Sequence, residues 1–251
     1  MSRDGDALTA KARAGAERAA RPRARAPRRS SPPVGEGRKV AYHHGGLRRA
    51  LLDAALALIA RGGPEGFTLR AAAREAGVTA GAPYHHFADK EALLAGVAEE
   101  GFQILHAHLL AARDAARTAE ERVRELAVAY VRFAVEHPSR FRLMMGRDAG
   151  IARRHRSLAR AARAAYDVMR LAVEEHATDR SPGVVSEDLV LGSWAVVHGL
   201  AFLAIDGHLG PAPAWDSIEP AVRATLLRFA RRPGEDMRTP IAVPRRRSAA
   251  G

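Results

Sequence analysis

From about residue 45 to 231 the apolar positions recur three and four residues apart, and the chain reads as a succession of helices. Leu47, Leu51, Leu52, Ala55, Leu58 and Ile59 make one stripe, which predicts a helix over 45–61 that Gly62-Gly63-Pro64 stops. Thr68 is placed to cap a short second helix whose Leu69, Ala72, Ala73 and Ala76 share a face. Gly77 ends it as a residue able to take positive φ. Val78 is expected to pack inward, and Thr79 to cap a third helix over 80–87 with Pro83 in its first turn. Asp89 caps a long helix over 89–117. Helices are then predicted over 120–137, 139–146, 151–176, 187–206 and 215–231, with breaks at Pro138 and at Ser181-Pro182-Gly183. The segment 187–206 is the most apolar. No strand-period alternation of any length appears, so the fold class is all-α: a three-helix N-terminal helix-turn-helix domain followed by a helical bundle.

Two short helices joined by a Gly-containing turn, over 66–94, have the layout of a helix-turn-helix, whose second helix enters the major groove of DNA. The run from Gly66 through Leu94 resembles the DNA-binding domain of the tetracycline-repressor (TetR) family of bacterial transcription regulators. The resemblance is carried by Thr68, Ala76-Gly77-Val78-Thr79, Tyr84-His85-His86-Phe87 and Lys90-Glu91-Ala92-Leu93-Leu94. The opening Tyr42-His43-His44-Gly45-Gly46-Leu47-Arg48 is similar to a subgroup signature of the same family. Carried over residue by residue, the resemblance implies that Thr68 holds a phosphate and that Arg70 points toward DNA. It implies that Thr79, Ala80 and Gly81 meet base edges, and that Tyr84, His85 and Lys90 contact backbone phosphates. Phe87 reads as a core aromatic, and Tyr84 as a packed ring with its hydroxyl on phosphate. Between Thr79 and Phe87 there is no Arg, Lys, Asn or Gln, so the strongest bidentate base readers are absent. Specificity is then expected from small residues, His85, water and DNA shape.

Charge changes this picture at the two ends. Of the 40 basic residues only 3 are Lys, and the formal net charge is +12. Residues 1–41 carry +7 and residues 231–251 carry +4, which leaves the body nearly neutral. Both ends are rich in Pro, Gly, Ala and Arg and are expected to be disordered, a basic arm over 1–41 and a basic tail over 232–251. The arm's arginines either track phosphate or enter a minor groove, or they belong to a solvated tail. Arg38 and Lys39, just before the first helix, are expected to contact DNA. The chain has no cysteine, which removes disulfides and thiolate zinc sites and suits a reducing cytoplasm. Neither a signal-peptide core nor an uninterrupted run of 18 apolar residues occurs, so no membrane span is expected. His85-His86 diverge by about 100° on a helix, and His106 and His108 diverge likewise, so no metal and no cofactor is assigned.

The domain boundaries that follow are 42–90 for the DNA-binding head and 91–231 for the helical remainder. Ser193-Trp194-Ala195-Val196-Val197-His198-Gly199-Leu200, with Glu136-His137-Pro138 and Phe141-x-x-Met144, resembles the WHG C-terminal domain of a TetR subset. That resemblance implies ligand sensing, and dimerisation through the last two long helices. Gly192, Ala195, Gly199 and Ala201 would allow close helix approach. Candidate effector-pocket residues are Phe102, Leu105, Tyr130, Phe133, Phe141 and Met144, together with Met145, Tyr166, Trp194, His198 and Phe202. His198 either orients a ligand, satisfies a core hydrogen bond or sits in a dimer seam.

The reading is a ligand-responsive transcriptional repressor in a bacterial cytoplasm. It binds a two-fold symmetric double-stranded DNA operator as a homodimer and responds to a small hydrophobic effector. The alternative is a DNA-binding protein of nucleoid or constitutive type with no effector. An all-α enzyme is disfavoured, since no G-x-S-x-G, H-E-x-x-H, P-loop or Gly-rich dinucleotide turn is present.

Overall fold

The computed structural model describes residues 44–146, 154–180, 187–209 and 215–230. The chain divides into two units, Met1–Ala41 and Tyr42–Gly251. The first unit lies outside the described residues, and so do Arg38, Lys39 and the tail beyond 230. The helices are α1 (His44–Gly62), α2 (Leu69–Glu75), a 3-10 helix (Ala82–His85), α3 (Lys90–Ala115) and α4 (Ala119–Glu136). They continue as α5 (Pro138–Met144), α6 (Arg156–Arg180), α7 (Glu187–Ile205) and α8 (Trp215–Ala230). No strand occurs among the described residues, and the fold is all-α.

Local chemistry sets the helix ends. Thr68 Oγ1 accepts from the Ala71 N–H at 3.1 Å, Asp89 Oδ1 from the Ala92 N–H at 2.7 Å, and Thr118 Oγ1 from the Glu121 N–H at 3.1 Å. Gly77 takes φ +70°, the left-handed value that ends α2 and starts the turn.

The segment expected to form an α-helix over 80–87 is instead one short 3-10 turn, and Pro83 supplies the reason. It has no N–H to donate to the Thr79 carbonyl, which receives the Ala82 N–H at 3.0 Å. Tyr84 N–H to Gly81 and His86 N–H to Pro83 continue the three-residue pattern. The Phe87 N–H, bonded to the Pro83 carbonyl at 2.9 Å, closes the segment.

Two apolar cores are strung along α3. The head core gathers Leu51, Leu52, Phe67, Leu69 and Phe87 around Leu93 and Val97 in the first two turns of α3. The second core gathers Leu126, Phe133, Phe141, Leu200 and Ile218 around Leu105 and Leu109, further along the same helix. The boundary expected at residue 90 falls where α3 begins, but its first turns serve the head.

Two glycines let neighbours approach α3. A Cβ on Gly96 would stand 3.0 Å from both Leu52 Cδ2 and Phe87 Cε1, and one on Gly101 would clash with Met144 Sδ. A charge network crosses the same region. Glu100 on α3 accepts from Arg49 of α1 at 2.8 Å and from Arg140 of α5 at 2.8 Å. Arg140 is only 6% exposed, so this pair ties the head helix to α5 through a largely dry contact.

Helix α7 bears on one expectation. Counting uninterrupted apolar runs misses it, yet Glu187–Ile205 is by length and composition apolar enough to cross a membrane. Val197, Leu200, Ala201 and Ala204 are buried, and the helix packs on α4. Leu191, Gly192, Ala195, Gly199 and Leu203 are left exposed along it.

Candidate DNA-binding head and internal cavity

In the head, Pro83 and Phe87 turn inward while Thr79, Ala80, Gly81, Tyr84 and His85 stay exposed. Phe87 is the core aromatic its spacing suggested. Tyr84 is 55% exposed, so its ring packs less than expected and its hydroxyl stands clear of the core. Thr68 and Arg70 are exposed at the start of α2. The Thr68 hydroxyl keeps its proton to give, because its oxygen serves as acceptor within the cap.

Lys90, half-buried at the first turn of α3, is not a loose cation. Its Nζ donates to the Glu65 carbonyl at 3.0 Å and lies 5.2 Å from the Phe67 ring centre. One proton donor thus pins the loop between α1 and α2 to the start of α3, while the remaining donors stay open. Beside it, Glu91 receives Arg154 through Nε at 2.7 Å and Nη2 at 2.9 Å, with His155 Nε2 at 3.4 Å. The Arg154 hydrogen bonds hold the Glu91 carboxyl below its usual range.

A cavity of about 1200 Å³ begins at this junction. Pro64, Glu65, Asp89, Lys90 and Glu91 line it there. From there Leu94, Ala98, Phe102, Leu105 and Leu109 line it along one face of α3. Lys90 to Leu109 spans about 28 Å at 1.5 Å per residue, so the cavity is long. Facing it, α6 presents Leu158, Ala159, Ala162, Ala165, Tyr166 and Met169. The space exists because alanines occupy facing positions where larger side chains would meet.

The far end holds a polar pair, the buried Tyr130 and the half-buried His198. Tyr130 Oη lies 2.9 Å from His198 Nδ1 and 3.9 Å from Met145 Sδ. Burial pushes the Tyr130 phenol well above its ordinary value and pushes the His198 imidazolium below its own. Both groups are therefore neutral near pH 7. The nitrogen at 2.9 Å is a far better acceptor than the sulfur at 3.9 Å, so the phenol proton is assigned to the bond with Nδ1. That leaves the imidazole proton on Nε2. Trp194, Phe141 and Phe202 pack around the ring, with centroids 5.0–6.0 Å away.

Of the residues singled out for a pocket, Phe102, Leu105, Tyr130, Met144, Met145, Tyr166, Trp194 and His198 line this cavity. Phe133 and Phe141 are fully buried in the core behind it, and Phe202 packs against that core. The cavity's extension to the head through Leu94 and Ala98, and its α6 wall, went unread. An aromatic-and-methionine search cannot find a wall made of alanines. The i, i+4, i+8 run Leu94, Ala98, Phe102 was the available signal.

A helix-turn-helix head and a ligand-sized cavity sharing one long helix define the class, a DNA-binding transcriptional regulator. Residues 51–97 match the family described as bacterial regulatory proteins, tetR family, and residues 123–229 match the tetracyclin repressor-like C-terminal domain. The second match includes Trp194, His198 and Gly199. A protein of unknown function from Rhodococcus sp. RHA1 is 35% identical over 76% of this chain and 98% of its own, with a TM-score of 0.60. The regulator PfmR of Thermus thermophilus is 22% identical over 72% and 99%, with a TM-score of 0.57. FadR of Bacillus subtilis, solved in complex with stearoyl-CoA, is 14% identical over 71% and 96%, with a TM-score of 0.55. No curated protein matches the chain. The chain belongs to the tetR family of bacterial regulatory proteins.

Proposed function

We propose that this regulator is a ligand-responsive repressor that binds a two-fold symmetric operator as a homodimer. The observation that carries the reading is the continuity of the cavity with the head: the wall formed by α3 starts at Lys90, beside the loop that enters α2. A molecule filling the cavity would press on α3 and α6 and bias the position of the heads. This requires that it bind one arrangement better than the other. A Bacillus FadR of the same fold holds an acyl-CoA, which supports a long apolar occupant.

The exposed apolar stripe of α7 supports dimerisation, because Gly192 and Gly199 have open space where a side chain would stand. With α8 it would form the seam, and the two heads would then reach major grooves about 34–36 Å apart or a multiple of it. DNA contact is assigned to Thr68, Arg70, Thr79, Ala80, Gly81, Tyr84, His85 and Lys90 in the head. Arg38 and Lys39, outside the described residues, are assigned to the flanking DNA. The head would extend over 42–90 and the effector and dimer domain over 91–231. The place of action would be the bacterial cytoplasm, and no catalytic role is assigned.

Footprinting on the DNA upstream of the gene, with and without a panel of hydrophobic small molecules, tests the reading. Protection of a palindrome that one of the molecules relieves supports it. Protection without site preference and with a steep salt dependence would point to a nucleoid-type protein instead.

A further inference from the structure

The far end of the cavity is chemically unlike the end beside the head. The charged side chains among the described lining residues are Glu65, Asp89, Lys90 and Glu91 beside the head, with Arg142, and with Arg163 over the Tyr166 ring that meets Trp194 edge-on. Each cation is already engaged. Lys90 bonds the Glu65 carbonyl, Arg142 pairs with Asp206 and the Ile205 carbonyl, and Arg163 bonds Asp167 while stacking on Tyr166. The end wall is Leu105, Leu109, Tyr130, Met169, Trp194 and His198, apolar except for the tyrosine–histidine pair and the Trp194 indole N–H, which is directed to the Tyr130 hydroxyl.

Within that pair one donor is unspent. Tyr130 occupies His198 Nδ1, and among the described residues no protein group bonds Nε2. Nor is Nε2 sealed away, since no buried side-chain nitrogen or oxygen there lacks a partner. It therefore keeps exposed surface, and His198 is one of the residues that line the cavity.

We propose that the cavity takes an uncharged, elongated hydrophobic molecule ending in a carbonyl acceptor, such as a ketone, ester or lactone. His198 Nε2–H, oriented by Tyr130, is the donor that reads that end. A carboxylate carried to the same place would lose its hydration and find no cation. A plain alkane would fill the apolar length but leave the donor without an acceptor. The inference deepens the effector reading and rests on it.

The test uses the full-length chain carrying Trp215→Phe, so that Trp194 alone reports occupancy by fluorescence. The probes are 2-undecanone, undecane and undecanoate at pH 8. The expected order is ketone first, with alkane weaker on the order of tenfold for one lost hydrogen bond. Undecanoate should be weaker still, on the order of a hundredfold below the ketone. His198→Phe together with Tyr130→Phe, which keeps the freed phenol from taking over as donor, should erase the ketone's advantage while undecane binding persists, which also shows that the cavity is intact. His198→Gln, which returns an N–H near the Nε2 position, should restore part of it.

Undecanoate binding best, a ketone advantage that survives His198→Phe with Tyr130→Phe, or failure of all three probes to bind would overturn the inference. Operator binding is measured separately. A ketone preference without any effect on DNA would uphold the ligand class and overturn the ligand-responsive reading.

Discussion

Lys90 stands where head and cavity meet, and its chemistry separates two roles that a truncation would merge. The ammonium bonds the Glu65 carbonyl and the aliphatic stem lies by Phe67. Lys90→Met keeps the stem and removes the charge. Operator binding measured by fluorescence anisotropy across a salt series should weaken, and the slope against log salt should fall by about one unit. An unchanged slope would show that Lys90 serves the loop and not DNA. At Tyr84, exposed beyond any structural need, Phe should weaken binding nearly as much as Ala if the hydroxyl holds a phosphate. The half-buried imidazoles predict a pH effect of definite sign. His137 and His198 both have lowered values, with burial as the main cause. The unfolded chain then takes up protons first, at about pH 6.5, and folding stability declines as pH falls below that. The decline ends once the folded values are passed. Urea midpoints at pH 7.5 and 5.5 should show this loss, and His198→Phe should make it smaller.

At the scale of elements, the joint between head and bundle is built from α1, α3 and α5 meeting at Glu100. Glu100→Gln leaves the Arg140 guanidinium buried without its carboxylate, which costs about 3 kcal/mol by urea denaturation. Adding Arg140→Met should recover most of that loss, because the uncompensated charge is gone. What the sequence revealed at this scale followed local chemistry. Thr68, Gly77 and Asp89 act within three or four residues of themselves, and each helix end they set could be read directly, whereas the Thr118 cap emerges only from the structure. The 3-10 turn is not legible from Pro83 alone, because proline is common in the first turn of an α-helix. Its effect on the Thr79 carbonyl four residues back is what shortens the helix. The cavity was only half legible. Aromatics and methionines stand out in a sequence, but whether one is a wall or a filling, as Phe133 is a filling, depends on what faces it. Space left by Ala98, Ala159, Ala162 and Ala165 is an absence of atoms between two helices far apart in sequence.

For the whole molecule, dimerisation and operator binding should fail together while ligand binding survives. Leu203→Glu puts a charge on the exposed stripe of α7. The variant should sediment as a monomer and lose operator affinity, yet still bind a hydrophobic probe in the cavity. A dimeric Leu203→Glu variant would move the seam elsewhere. The central claim is that filling the cavity weakens the grip on DNA through α3 and α6. It can be tested without knowing the effector by filling the space from within. Ala162 lines the cavity on α6, and Ala162→Phe places a ring in it. The decisive measurement is operator affinity of Ala162→Phe against the natural protein at one salt concentration, with thermal midpoints compared. The expected result is an affinity lower on the order of tenfold with the midpoint unchanged or raised. Equal operator affinity in a variant that is equally stable would contradict the claim.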